Sequence, residues 1–123
     1  MKILIVEDDP GFAQLLFEFL SDSGFEVALA PRGKEAIKAA GRVNPDLMLL
    51  DYQLGDMNGY DVAVTLGYMR NTASIPFLVI SSMMTEPILI DSFKKLPACR
   101  GTFLKTASLE EILSEIKKVL KML

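Results

Sequence analysis

The sequence predicts an α/β fold, a five-stranded parallel sheet with helices on both faces. Three observations carry that expectation. Short, continuous apolar runs recur along the 123 residues, helix-period segments separate them, and four of the five runs stop abruptly at polar residues. Such runs suit strands buried on both faces of a parallel sheet, and right-handed crossover helices then cover both sides.

The first run covers residues 3–6 and ends at Glu7, Asp8 and Asp9. Asp9 followed by Pro10 reads as a helix N-cap with proline at the first helical position, where a missing N–H is harmless. Phe12, Leu15, Leu16, Phe19 and Leu20 recur at helical spacing and predict one buried stripe. Phe17 lies off that stripe, and Gly24 falls just past the helix end. A second run at 27–30 precedes a segment at 33–42 carrying Ala36, Ile37 and Ala40. The third, 47–50, ends at Asp51 and precedes a segment at 59–70 with Val62, Leu66 and Met69. The fourth, 77–80, ends at Ser81 and Ser82, and a helix at 85–95 follows behind Thr85, Glu86 and Pro87. The fifth, 102–104, ends at Lys105. Ser108 to Glu111 then reads as a capping box, opening a helix with Leu109, Ile112, Leu113, Ile116, Leu120 and Leu123 on one stripe. Five strands fit the flavodoxin-like strand order 2-1-3-4-5, in which ligands bind outside the carboxyl ends of strands one and three. Residues 1–123 are expected to form a single domain with no output domain in this chain.

Composition narrows the chemistry. With 13 Lys and Arg against 16 Asp and Glu, the net charge of −3 argues against binding nucleic acid, which needs clustered basic residues. The chain has no His, which excludes Ser-His-Asp and Cys-His hydrolases and His-ligated zinc. Cys99 is the single cysteine, so an internal disulfide is excluded. The N-terminal apolar run is too short for a signal peptide, and no run approaches the roughly 20 residues of a membrane span. A cytoplasmic domain without membrane contact is the expectation.

The strand ends hold the candidate site. In the predicted order Glu7, Asp8, Asp51, Ser81 and Lys105 all reach one edge of the sheet. Carboxylates ~4 Å apart repel by ~1 kcal/mol in water and ~4 kcal/mol at an effective dielectric of 20. A cation relieves that repulsion, and hard oxygen ligands without imidazole or thiolate point to Mg²⁺. A carboxylate, a divalent metal, an ammonium and a hydroxyl are what phosphoryl transfer onto Asp requires. Singly, each residue has a plain role as a helix cap, a surface lysine or a strand-end hydroxyl. Their coincidence at four strand ends is what carries the reading.

Residues 3–10, then 45–51 with Met57, Asn58 and Gly59, then 75–81 and 103–105, resemble the receiver domain of two-component response regulators, the CheY-like superfamily. The resemblance covers the whole chain. It implies that Asp51 is the phosphoacceptor and that Glu7, Asp8, Asp51 and the backbone carbonyl of Gln53 hold Mg²⁺. It places Ser81 and Lys105 against the phosphoryl group, and Gly11, Phe12 and Leu15 where receivers meet their phosphodonor. It implies a phosphohistidine donor on a sensor histidine kinase or phosphotransfer protein and a downstream protein partner. A phosphorylation-dependent homodimer is a further expectation. Such a domain is a signalling switch rather than an enzyme, catalysing only its own phosphorylation and dephosphorylation.

Four positions depart from the family pattern. Thr106 replaces the proline that usually follows the lysine, so a trans bond is expected, since a cis bond without proline costs about 2.5–4 kcal/mol. Thr102 stands at the switch position where the family often carries Tyr or Phe, and Phe103 should point to the opposite face. Gly55 replaces a common proline, predicting a looser loop by about 1 kcal/mol of chain entropy. Ser82 adds a hydroxyl beside Ser81. Thr102 and Thr106 favour an alternative, a pseudo-receiver that docks a partner without phosphorylation. The intact acidic, hydroxyl and lysine set favours the phosphoacceptor. A dehalogenase-type phosphatase is disfavoured because Gln53 stands where a second Asp is wanted. Phe17, Met83 and Met84 read first as scattered surface hydrophobes, because they are few, and second as a docking surface.

Overall fold

Alternation of apolar side chains across each strand builds two separate cores, one on each side of a central sheet. In the computed structural model, which describes residues 1–121, the order is β1 (Lys2–Val6), α1 (Pro10–Asp22), β2 (Glu26–Ala30), α2 (Gly33–Val43), β3 (Leu47–Leu50), α3 (Gly59–Gly67), β4 (Phe77–Ile80), α4 (Pro87–Lys94), β5 (Cys99–Phe103) and α5 (Leu109–Val119). The five strands are parallel in the order β2-β1-β3-β4-β5, as the sequence predicts. Ile3, Ile5, Leu47, Leu49, Leu78 and Ile80 face one side and pack with Leu16, Leu20, Ile112 and Ile116 of α1 and α5. Leu4, Val6, Met48, Leu50, Phe77 and Val79 face the other and meet Ala36, Ala40, Val62, Leu66 and Phe93 of α2, α3 and α4.

The strand predictions hold best in the middle of the sheet. β1, β3 and β4 are buried on both faces, whereas the edge strands β2 and β5 are only partly buried. β5 also begins three residues earlier than its apolar run. Cys99 pairs with Phe77 and Gly101 with Leu78, so Arg100 is an extra residue in a bulge, and a charged bulge beside glycine hides the strand start. Leu104 lies past the strand end.

Asp9 caps α1 by accepting from the Gly11 N–H at 3.1 Å, with Pro10 in the first turn. Most of the predicted stripe holds: Leu16 and Leu20 are buried and Phe12 and Phe19 pack against the same core. Leu15 is the exception at 48% exposed, while Ala13 is buried and Phe17 also packs against that core, because packing against α5 and the sheet turns the helix toward them. α2 matches the predicted segment to within one residue, whereas α3 and α4 are shorter than predicted, with Met69 beyond the end of α3 and Pro87 opening α4. Ser108 caps α5 by accepting from the Glu111 N–H at 3.1 Å. Leu123 lies outside the described residues. Among the described residues, no helix is long and apolar enough to cross a membrane.

Candidate functional site

β1 and β3 lie side by side with Val6 opposite Leu50, so Glu7 and Asp51 leave the sheet together. Each is held by one further ladder bond, from the Asp51 N–H to the Val6 carbonyl (3.0 Å) and from the Glu7 N–H to the Ala30 carbonyl (3.2 Å). Ser81 donates its N–H to the Phe103 carbonyl (3.0 Å), which brings the end of β4 against the end of β5, two residues before Lys105. The four predicted strand ends therefore meet.

Glu7 and Asp51 are each 4% exposed, Ser81 is fully buried and Asp8 is exposed. One carboxylate oxygen from each of Glu7, Asp8 and Asp51 lies within 4.8 Å of the others. Lys105 reaches into this group. Its Nζ lies 3.0 Å from Glu7 Oε1 and 3.2 Å from Asp51 Oδ2, and it also donates to Glu7 Oε2 at 3.0 Å. The same ammonium stands 5.0 Å from the centre of the Phe12 ring. Glu7 Oε2 accepts the Asp9 N–H at 3.0 Å, and Asp51 Oδ1 accepts the Tyr52 N–H at 2.7 Å.

Burial is the largest influence on Glu7 and, with the Asp51 charge, pushes it up to about 7 against the pull of the Asp9 N–H and Lys105. Burial works against the Lys105 charge, but its bonds to Glu7 and Asp51 outweigh it and hold the ammonium above its ordinary value. The carboxylate trio is thus crowded and only partly neutralised. Three oxygen donors with neither imidazole nor thiolate fit a hard divalent cation of the Mg²⁺ kind.

The loop after Asp51 closes tightly. Gln53 forms an antiparallel bridge with Asn58, and the Gly59 N–H donates to the Tyr52 carbonyl at 2.6 Å. A Cβ at position 59 would overlap the Asp51 carbonyl, so this approach requires glycine. Asn58 caps α3 by accepting the Asp61 N–H at 2.8 Å. On the other side of Asp51, Ser81 Oγ accepts the Met83 N–H at 3.1 Å, which leaves its own O–H to donate elsewhere.

The departing positions sort themselves. The Lys105–Thr106 bond is trans, as expected. Phe103 packs on the α1 and α5 side, so strand alternation puts the half-buried Thr102 on the opposite face, without a ring. Ser82 is exposed. Gly11 and Leu15 are exposed and Phe12 is half-buried at the site end of α1. The docking reading of Met83 and Met84 is corrected. Met84 is buried and Met83 packs beside it in the core under α4, as Phe17 does under α1.

Two features escaped the sequence. Tyr52, Tyr60 and Phe77 surround the buried Phe93 edge-on, at ring-centre distances of 6.4, 5.4 and 6.3 Å. Asp56 bonds to the first two N–H groups of α2. Both join residues far apart in the chain, and an Asp in a turn gives no signal of a distant partner.

An α/β domain with an acidic pocket and a lysine at one sheet edge is the class so defined. A family profile described as Response regulator receiver domain matches residues 3–117. The chain belongs to this family of two-component signalling domains. The DNA-binding response regulator MtrA of Mycolicibacterium smegmatis is 37% identical over 81 residues, which are 66% of this chain and 34% of that protein. The chain thus spans about a third of the MtrA relatives it matches. The chemotaxis protein CheY of Listeria monocytogenes is 28% identical over 122 residues, 98% of this chain and 99% of that one. A two-component response regulator from Clostridium difficile shares the fold with a TM-score of 0.89 at 25% identity, covering 99% of this chain and 97% of that one.

Proposed function

We propose that this domain accepts a phosphoryl group on Asp51 from a phosphohistidine of a sensor histidine kinase or phosphotransfer protein, with Mg²⁺ as cofactor. The observation that carries the reading is the buried Asp51 carboxylate, paired to Lys105 at 3.2 Å and within 4.8 Å of the Glu7 and Asp8 oxygens. Glu7, Asp8, Asp51 and the Gln53 carbonyl would hold the cation. When bound, Mg²⁺ supplies positive charge against the phosphoryl oxygens. An Asp51 oxygen attacks phosphorus, the N–P bond breaks, and the imidazole leaves with the electron pair. Lys105 neutralises the transferred oxygens, and the Ser81 hydroxyl donates to one of them while still accepting from Met83. Water later hydrolyses the acyl phosphate. The domain is then a cytoplasmic switch rather than an enzyme acting on external substrates. The charge added at Asp51 shifts a partner-binding surface.

The test is intact mass after incubation with acetyl phosphate and Mg²⁺. Wild type should gain one phosphoryl group, and Asp51→Asn or omission of Mg²⁺ should abolish the gain. No gain in wild type, with Mg²⁺ binding established and fast hydrolysis excluded by beryllofluoride titration, would leave the phosphorylation-independent docking module as the better reading.

A further inference from the structure

The loop after Asp51 is fastened at its tip to a helix that starts 23 residues earlier in the chain. α2 opens at Gly33 with Arg32 in the N-cap position, and the Arg32 side chain makes no capping bond. The first two N–H groups of the helix go instead to Asp56, from Gly33 to Oδ1 at 2.8 Å and from Lys34 to Oδ2 at 3.1 Å. One carboxylate thus does from a distant loop what a capping side chain does locally. The loop closes onto the helix on both sides of Asp56. A Cβ at position 33 would overlap the Met57 side chain, and a Cβ at position 55 would lie 3.2 Å from the Arg32 guanidinium.

Gly55 makes the fastening necessary. Its φ of +82° is closed to proline, so the rigidity a proline would give this loop is absent. Only the buried Leu54 and Gly55 separate Gln53 from Asp56, and the Asp56 N–H donates back to the Leu54 carbonyl at 3.0 Å. The neck of the loop is pinned by the Gln53 bridge to Asn58, and its tip by Asp56 alone among the described side-chain bonds.

We propose that Asp56 is a positioning residue for the cation end of the site. Its carboxylate clamps the 52–58 loop to the N-terminus of α2 and so holds in place the segment that carries Gln53, two residues after Asp51. The inference rests on the phosphoacceptor reading above and deepens it, because the clamp acts on a group that this reading assigns to the metal. Outer partners that hold a metal-binding group in place are typically worth about 10–100-fold in metal affinity. The negative charge also suits its place against the positive end of the helix, so Asn should replace Asp only in part.

Mg²⁺ dissociation constants measured by isothermal titration on wild type, Asp56→Ala, Asp56→Asn and Ala39→Gly test this. Ala39 is buried in the middle of α2, so its replacement weakens the helix without touching the clamp. Asp56→Ala should lose about tenfold or more in Mg²⁺ affinity. Its amides at 52–58 should exchange hydrogen faster, and Asp56→Asn should fall between it and wild type. Ala39→Gly should keep the wild-type constant despite a lower melting temperature. Should Asp56→Ala fail to fold, Asp56→Asn decides. An Asp56 variant that binds Mg²⁺ as Ala39→Gly does overturns the inference alone. A wild type that neither binds Mg²⁺ nor gains a phosphoryl group overturns the phosphoacceptor reading and this inference with it.

Discussion

The two sides of Asp51 are built differently. On the proposed cation side, the 52–58 loop is closed by its own neck bridge and fastened at its tip to the start of α2, and the Asp51 N–H just before it bonds the Val6 carbonyl. On the proposed phosphoryl side, beyond the Ser81 N–H bond to the Phe103 carbonyl, the 81–86 turn holds to itself. Met83 and Met84 donate to Ser81, Glu86 donates to Met83, and the buried Met84 is its anchor in the core. A cation site needs oxygens held in place before the ion arrives, because a hard ion that demands near-ideal geometry is reluctant to shed water. A phosphoryl contact that must form and dissolve is better placed on a turn whose bonds are local and easily rearranged. The difference assigns rigidity to one half of the site and freedom to the other.

Gly59→Ala should break the rigid half most. The added Cβ would overlap the Asp51 carbonyl, and overpacking against backbone costs about 1–3 kcal/mol. Urea unfolding should show the loss, and phosphorylation of Asp51 should slow with it. The charge in the same half gives the next effect. Glu7 titrates at about 7 in the folded chain against an ordinary 4.5, chiefly because it is buried. The folded state therefore holds this proton more tightly. Its contribution to stability is complete below about pH 4.5 and is lost as pH rises through about 7. Urea midpoints taken between about pH 5 and pH 8 should fall with pH, and Glu7→Gln or saturating Mg²⁺ should flatten that slope. The smallest effect on stability belongs to the looser half. Ser81→Ala leaves the Met83 N–H without its partner, worth about 1 kcal/mol. It should nonetheless slow phosphorylation by about tenfold or more, because a donor to the transferred oxygens is gone. A stability loss in Ser81→Ala larger than that in Gly59→Ala would sink the contrast.

Much of this site could be read from the chain because its members end buried strands, where an apolar run stopping at Asp51 or Ser81 marks a sheet edge. The same logic weakens at edge strands, where β2 is half exposed and the Arg100 bulge interrupts β5. In α1, Leu15 fits the helical spacing of the stripe as well as its neighbours do, and only tertiary packing leaves it exposed and brings Phe17 against the core. The Asp56 clamp left no trace in local sequence, since either partner alone looks like an ordinary turn or helix start. Gly55 was legible as a departure, but the bonds of neighbouring Asp56 to α2 were not.

Tyr52 gives the molecule an optical property of its own. The sequence has no Trp and 3 Tyr, so tyrosine dominates its near-ultraviolet emission. One of these rings belongs to the residue whose N–H holds the Asp51 carboxylate, and it leans edge-on against Phe93 of α4. A change in charge at Asp51 is therefore one peptide unit from a chromophore that also touches the helix beyond the turn. The unlabelled protein carries a native fluorescence reporter at the centre of its site.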